Sequence, residues 1–459
     1  MEWTKNQLLE LEITDLTDQG AGVGRCDGRV CFVPLAVPGD RVRAKVLKPA
    51  KNVVYCRLEE VLSPSPDRVE VDCPVYAQCG GCSLRQIRYE AELRLKEQRV
   101  RSALRRIGGL EDLPVAPILG APSRDGYRNK ALLPVGMDKN GKPTLGFYAR
   151  NTHRVVPCPD CRLQPEVFTR VARAFLAWAE TSGNSVYDEA AHSGVLRRLY
   201  LRQGEQTGQV LACAVVNGGR LRREEELAAA LRSAAPELTG ILLNEHRERT
   251  NVALGRKFRT LWGKETIEDK LCGLTFTLSP LSFYQVNRTQ AERLYGLAAE
   301  FAGLTGTETL LDLYCGTGTI GLSMAGRARK VVGVEIIPDA VENARQNAAA
   351  NGIRNAEFLC GDAALAARQL ADRGERPDVV LLDPPRKGCA PELIETVARD
   401  LAPRRVVYVS CDPATLARDL KLFAQRGYRP MQAAPVDMFP ATLHVETVVL
   451  MTRTDAGNG

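Results

Sequence analysis

The chain predicts an α/β protein in three parts: a small N-terminal β-barrel, a central α+β domain and a C-terminal Rossmann-like sheet. Three observations carry this. Short β-type runs with turn signals between them fill residues 8–62, the middle mixes hairpins with helices, and from Thr309 strands alternate with Ala-rich helices. The boundaries expected are 1–65, 66–285 and 286–459, and 459 residues leave room for a core in each.

In the first part the runs are Leu9–Ile13, Val30–Val33, Arg41–Val46 and Tyr55–Leu58. Such spacing suits a closed barrel of OB-like size. Gly20-Ala21-Gly22-Val23-Gly24 resembles a dinucleotide loop superficially, but no helix follows it, so the glycines are assigned to a strand turn or bulge.

Ser63-Pro64-Ser65-Pro66-Asp67 reads as a linker, and cysteines follow it. Cys73, Cys79 and Cys82 form C-x5-C-x2-C, with Cys158-Pro159-Asp160-Cys161 far downstream. Four thiolates can hold zinc or an iron–sulfur cluster, and spacing alone does not separate the two. A helix is expected from Leu84 to Ile107, carrying Arg85, Arg88, Arg94, Lys96, Arg99, Arg101, Arg105 and Arg106. Arg124, Arg128, Lys130, Lys142 and Arg150 extend this charge, which suits a phosphate backbone or, more plainly, a solvated helix. Further on, Asp138-Lys139-Asn140-Gly141 marks a hairpin, Val167–Glu180 a helix, and Leu196–Val216 a β-rich block turning at Glu205–Gly208.

In the third part, Leu310–Tyr314 is a strand and Cys315-Gly316-Thr317-Gly318-Thr319 a tight loop opening a helix, where backbone can approach a ligand. The next strand ends in Glu335, placed to bond ribose hydroxyls, and Gly361-Asp362 closes the third. The loop lacks the G-x-G-x-x-G pattern and any Walker lysine. S-adenosylmethionine therefore fits better than NAD or ATP.

Two sheet-edge motifs suggest the chemistry. Val406–Val409 leads into Ser410-Cys411-Asp412-Pro413, and Val379–Leu382 into Asp383-Pro384-Pro385-Arg386-Lys387-Gly388. Asp-Pro-Pro also occurs in methyltransferases acting on exocyclic amines, but those need an aromatic residue where Arg386 stands, and no cysteine. A cysteine beside a cofactor sheet suits attack on a pyrimidine: thiolate addition at C6 makes C5 nucleophilic, and a base must then remove the C5 proton. Glu446, opening the last strand, is the candidate base, with His444 its competitor and a plain ion-pair role the bland alternative.

With these motifs, the chain resembles the S-adenosylmethionine-dependent RNA 5-methyluridine methyltransferases, in the subgroup with a TRAM barrel and an iron–sulfur cluster that modifies 23S ribosomal RNA. The residues carrying the resemblance are Gly39-Asp40, the cysteine cluster, Ser282–Asn287, Asp312–Gly318, Asp383–Gly388, the Cys411 segment and His444-Val445-Glu446. It implies Cys411 as nucleophile and Glu446 as base. Gln285, Tyr314, Glu335 and Asp383 would hold S-adenosylmethionine, with Thr319 and Asp362 as lesser contacts. It implies a four-iron (4Fe-4S) cluster on Cys73, Cys79, Cys82 and Cys161, the last chosen through Leu163-Gln164-Pro165, with Cys158 the alternative. Tetrahedral chemistry at C5 requires the uridine out of its stack.

Within enzymes, the rival is the same reaction on the T-loop of tRNA, whose specific enzymes generally lack the barrel and cluster. From another class, the rival is a non-catalytic iron–sulfur RNA-binding protein. Net charge is +7, mild for this length, so it allows an RNA partner without demanding one. No apolar run approaches the ~20 residues of a membrane helix. No export signal stands at the start, so a cytoplasmic protein is expected, in which 14 cysteines point to metal or catalysis rather than disulfides. No membrane and no obligatory protein partner are expected.

Overall fold

The computed structural model describes residues 3–250 and 252–454. They pack as two compact units, one of residues 3–96, 147–156 and 439–443, the other of the remaining described residues.

In the first unit, β1 (Leu8–Leu16), β2 (Ala21–Cys26), β3 (Arg29–Pro34), β4 (Arg41–Pro49) and β5 (Val53–Ser63) close into a barrel in the order β1-β2-β3-β5-β4. Alternation decides which way each strand faces. In β1, Leu9, Leu11 and Ile13 point inward and Leu8, Glu10 and Glu12 outward. The glycine run lies in β2, where a Cβ on Gly24 would sit 2.5 Å from the Glu12 carbonyl, so it is close strand packing that requires the glycine. Asp40, fully buried, accepts the Val37 and Ser65 N–H groups and pairs with Arg68 at 2.5 Å. Burial alone would raise its pKa, but the Arg68 bond and the two N–H groups hold the carboxyl below the usual range.

The basic helix, α1, spans Tyr89–Arg106 and starts five residues later than expected. Residues 84–88 are spent on turns instead, with Ile87 N bonding Leu84 O and Arg88 N bonding Asp67 O. Lys96 is fully buried, held by Glu92 at 2.8 Å and by the Phe439 carbonyl.

The central strands and helices are β6 (Lys130–Met137), β7 (Pro143–Tyr148), β8 (Val155–Pro157), α2 (Glu166–Thr181), β9 (Leu196–Gln203), β10 (Val210–Val216), α3 (Glu224–Ala234), β11 (Leu238–Glu245) and β12 (Lys257–Gly263). They form a sheet ordered β12-β11-β10-β9-β6-β7-β8. The hairpin, the helix and the β-rich block fall where expected. The parallel crossover from β10 through α3 to β11 was not anticipated.

A two-stranded ribbon of β13 (Ile267–Leu271) and β14 (Leu274–Leu278) leads into α4 (Arg288–Ala302). Then come β15 (Thr309–Leu313), α5 (Thr319–Met324), β16 (Lys330–Glu335), α6 (Pro338–Ala350), β17 (Ala356–Cys360), α7 (Ala363–Asp372), β18 (Val379–Leu382), α8 (Pro391–Glu395), β19 (Arg405–Ser410), α9 (Pro413–Ala424), β20 (Tyr428–Val436) and β21 (Glu446–Arg453). The sheet order is β17-β16-β15-β18-β19-β21-β20, parallel except for β21. β15 and β18 are buried along their whole length, because helices cover both faces. Strand order reverses between β15 and β18, and the crevice above that switch is where doubly wound sheets hold ligands.

Candidate active site

Five of the expected residues follow or end consecutive strands at the carboxyl edge of this sheet. Tyr314 follows β15, Glu335 ends β16, Asp362 lies just beyond β17, Asp383 follows β18, and Cys411 follows β19. Leu313 and Leu382 are Cα partners, so Tyr314 and Asp383 stand side by side across the switch point.

On the cofactor side the loop 315–318 is shaped by two glycines. Gly318 has φ +80°, and a Cβ there would press on Leu322, Phe358 and Ala344 at 3.1–3.3 Å. Tyr314 itself adopts φ +68°, a strained value for a tyrosine. Glu335 accepts Gly316 N at 3.1 Å and Ile337 N at 2.9 Å, one on each oxygen, leaving a second lone pair on each for a ribose. Beside it Ile336 and Ile337 are exposed, as is Leu365 near Asp362. Asp362 caps α7, accepting Ala364 N and Leu365 N on one oxygen. Thr319 turns its hydroxyl inward to Tyr295 at 3.0 Å, so its side chain is committed to packing. Gln285 lies in the loop 279–287, half-buried, and its carbonyl accepts from Asn129 at 2.9 Å.

Sequence reasoning placed Asp312 in a motif but gave it no role of its own. This carboxyl in β15 is buried, accepts Gly321 N at 3.0 Å on one oxygen, and leaves the other without a partner. Burial, with the nearby Asp383, raises it to about 8. An orphaned buried carboxyl oxygen and several crowded carboxyls fit a ligand carrying positive charge, such as a sulfonium with its ammonium group.

On the reaction side, Ser410 in β19 and Thr447 in β21 are antiparallel partners, which sets Cys411 across from Glu446 one step further on. Glu446 is buried at 6% exposure, whereas His444 is exposed. Burial raises Glu446 to about 8, with Asp383 adding to the rise and Arg386 opposing it. Burial likewise pushes the Cys411 thiol up to about 11, with Glu446 adding and Arg386 opposing, and Asp383 is raised by burial to about 7. Arg386 is therefore the cation facing both groups. The sequence offered it only as a missing aromatic.

The loop carrying Asp383 and Arg386 is pinned from below. Asp419 accepts Cys389 N at 2.8 Å and Tyr408 OH at 2.6 Å, and Arg418 bonds the Lys387 carbonyl. A Cβ on Gly388, at φ +76°, would come within 2.5 Å of Arg418 and Asp419. On the other motif, Asp412 caps α9 through Ala414 N and Thr415 N, fixing the turn that presents Cys411.

The cysteine cluster fares differently. Cys73, Cys79 and Cys82 lie in the turns of the first unit, where Cys79 Sγ accepts Gly81 N at 3.3 Å; Cys158 and Cys161 belong to the second. Among the described residues, no three His, Cys, Asp or Glu side chains gather in an arrangement able to hold a metal ion.

The basic set is also trimmed. Lys96 is buried, and Arg85 is buried against Asp72 at 2.6 Å, so these two serve packing rather than an open phosphate-binding face, whereas Arg94 is exposed and pairs with Asp67. Arg105 and Arg106 are exposed at the helix end.

A sheet-edge cysteine, a buried carboxyl opposite it and a glycine loop with acidic strand ends define a Rossmann-like methyltransferase site. Residues 225–454 match the model of the tRNA (uracil-5-)-methyltransferase family and residues 2–58 that of the TRAM domain. An uncharacterized RNA methyltransferase of Halalkalibacterium halodurans is 43% identical over 97% of both chains. One of Gloeobacter violaceus is 42% identical over 98% of this chain and 97% of its own. The chain belongs to the uracil-5 RNA methyltransferase family, S-adenosylmethionine-dependent enzymes that act on RNA. Among solved structures, the tRNA (uracil-54, C5)-methyltransferase of Pyrococcus abyssi, in complex with S-adenosyl-L-homocysteine, matches at TM-score 0.78 and 29% identity, covering 97% of this chain and 100% of its own. A tRNA enzyme thus parallels nearly the whole chain. Among the described residues no helix is long and apolar enough to cross a membrane.

Proposed function

We propose that the protein methylates C5 of a uridine in 23S ribosomal RNA through a covalent bond between Cys411 and C6. The observation that carries this reading is the cross-strand placement of Cys411 and Glu446 at the sheet edge, beside Asp383 and Arg386. Cys411, as thiolate, adds to C6 and moves an electron pair onto the C4 carbonyl, which leaves C5 nucleophilic. S-adenosylmethionine, when bound, supplies the electrophilic methyl group and departs as S-adenosylhomocysteine. Glu446, as carboxylate, removes the C5 proton, and the returning electron pair expels the thiolate from C6. Arg386 faces both groups and favours their charged forms. Gln285, Tyr314, Glu335, Asp362 and Asp383 would hold the cofactor, with Asp312 added for its positive charge and Thr319 contributing backbone.

A second reading keeps the chemistry and changes the RNA. The Pyrococcus likeness favours a tRNA uridine. Tritium release from RNA labelled at C5 of uridine tests both: 23S fragments should release tritium and tRNA transcripts should not. The reverse result moves the target to tRNA, and release from neither removes the uracil-5 assignment.

A four-iron cluster on Cys73, Cys79, Cys82 and Cys161 is part of this reading on the strength of the family resemblance, the spacing itself suiting zinc equally. No step of the reaction passes through it. Iron and acid-labile sulfide in anaerobically purified protein would support it, and zinc alone or no metal would remove it.

A further inference from the structure

Arg386 faces Cys411 and Glu446, yet nothing along its own side chain holds it there. It is exposed, and among the described residues no hydrogen bond or ion pair engages its guanidinium. The aim of such a side chain depends on the backbone beneath it. Pro384 and Pro385 fix φ on one side. On the other, Gly388 N closes a turn on the Pro385 carbonyl at 2.8 Å.

That turn rests on one carboxylate. Asp419, in α9, is fully buried; its Oδ2 accepts Cys389 N and Tyr408 OH, and its Oδ1 accepts Arg418 Nε at 2.8 Å. Arg418 in turn donates to the Lys387 carbonyl at 2.8 Å. Asp419 thus ties down Cys389 directly and Lys387 through Arg418. Gly388, between them, leaves no room for a Cβ over the pair. Through Tyr408 the same oxygen also touches β19, the strand that presents Cys411.

We propose that Asp419 is a positioning residue for methyl transfer, holding the Lys387–Cys389 backbone so that Arg386 faces the Cys411 thiol. The inference deepens the reading of Cys411 as nucleophile and rests on it. Burial opposes ionisation of that thiol, Glu446 from β21 adds to the opposition, Arg386 favours ionisation, and Asp383 opposes it. With the loop released, Glu446 stays on β21 while the cation loses its aim, so less thiolate forms.

The test follows alkylation of Cys411 by iodoacetamide at pH 8 in the full chain without RNA, mapped by mass spectrometry, with exposed Cys360 as internal reference. Asp419→Asn should slow Cys411 roughly three- to tenfold relative to Cys360, as for a thiol pKa raised by about half to one unit. Arg418→Gln frees the Lys387 carbonyl from a half-exposed position and should act in the same direction, carrying the test alone if Asp419→Asn does not fold. Tyr408→Phe keeps both loop bonds and should leave the rate within about twofold. A merely structural Asp419 predicts the opposite sign, because loosened packing would speed alkylation of Cys411 and of buried Cys389. Unchanged or faster alkylation of Cys411 in the folded variants, or an equal slowing by Tyr408→Phe, would overturn the proposal. Alkylation needs no RNA, so it reports on the loop independently of tritium release, whose absence in the wild type counts against the methyltransferase reading alone.

Discussion

Cys411 and Glu446 lie opposite one another because β19 and β21 run antiparallel in a register that pairs Ser410 with Thr447. Two residues 35 positions apart in sequence thereby become cross-strand neighbours at the mouth of the sheet. A nucleophile and a base that must act on adjacent carbons of one ring need that spacing.

Exchanging either partner should stop the reaction at a different point. Cys411→Ala is expected to abolish methylation while the affinity for S-adenosylmethionine, read by calorimetry, stays within about threefold, since the thiol acts on the base and not the cofactor. Glu446→Gln should slow turnover by roughly 10²–10⁴-fold and accumulate a protein–RNA adduct, because the thiolate cannot leave while C5 keeps its proton. If that variant turns over normally and His444→Ala does not, the base is His444.

Cofactor affinity should depend on pH. Asp383 and Asp312 are raised to about 7 and 8, so both are largely protonated at pH 6 and ionised at pH 9. A ligand carrying a sulfonium binds the ionised form better, so its affinity should rise from pH 6 to 9, and Asp383→Asn should flatten the profile. S-adenosylhomocysteine, lacking the sulfonium charge, should show a shallower rise in the same titration.

Glu446 and Asp383 work against stability in the free protein. Their folded-state pKa values lie above the unfolded ones, so between about pH 4 and 8 the native state binds more protons and stability falls as pH rises. Glu446→Gln should therefore raise thermal stability at pH 8.5, by ~1–4 kcal/mol, and change little at pH 4. Equal gains at both pH values would contradict the buried-charge account.

Asp40 has the opposite sign. Its carboxyl is held low by Arg68, so the stability it contributes is present above the unfolded pKa and lost as pH falls through the folded one. Asp40→Asn leaves Arg68 without its carboxylate partner and should destabilise the barrel by about 3–5 kcal/mol at neutral pH, seen as a lower urea midpoint. The loss should shrink as pH falls through the lowered folded-state pKa, where the wild-type carboxyl is itself protonated.

Much of the site was legible because its residues sit at strand ends that the sequence announces. Val379–Leu382 and Val406–Val409 are unbroken apolar runs cut by Asp-Pro, and Cys315–Thr319 is a glycine loop between strand and helix. Asp312 and Arg386 were less visible. One lies mid-strand, where only burial reveals an orphaned oxygen, and the other acts through charge across a gap. Lys96 and Arg85 look solvated in sequence, yet tertiary packing buries them against Glu92 and Asp72. The ribbon of β13 and β14 turns at Cys272-Gly273, both at positive φ, without the usual Asn-Gly signal.

The most direct test of the covalent claim is RNA containing 5-fluorouridine, incubated with protein and S-adenosylmethionine, then digested and analysed by mass spectrometry. Fluorine at C5 cannot be removed as a proton, so the adduct should be trapped. The account predicts a peptide carrying a methylated fluorouridine bonded to Cys411. Methylation of ordinary uridine by the same preparation with no adduct on Cys411, or with one on another cysteine, would contradict it.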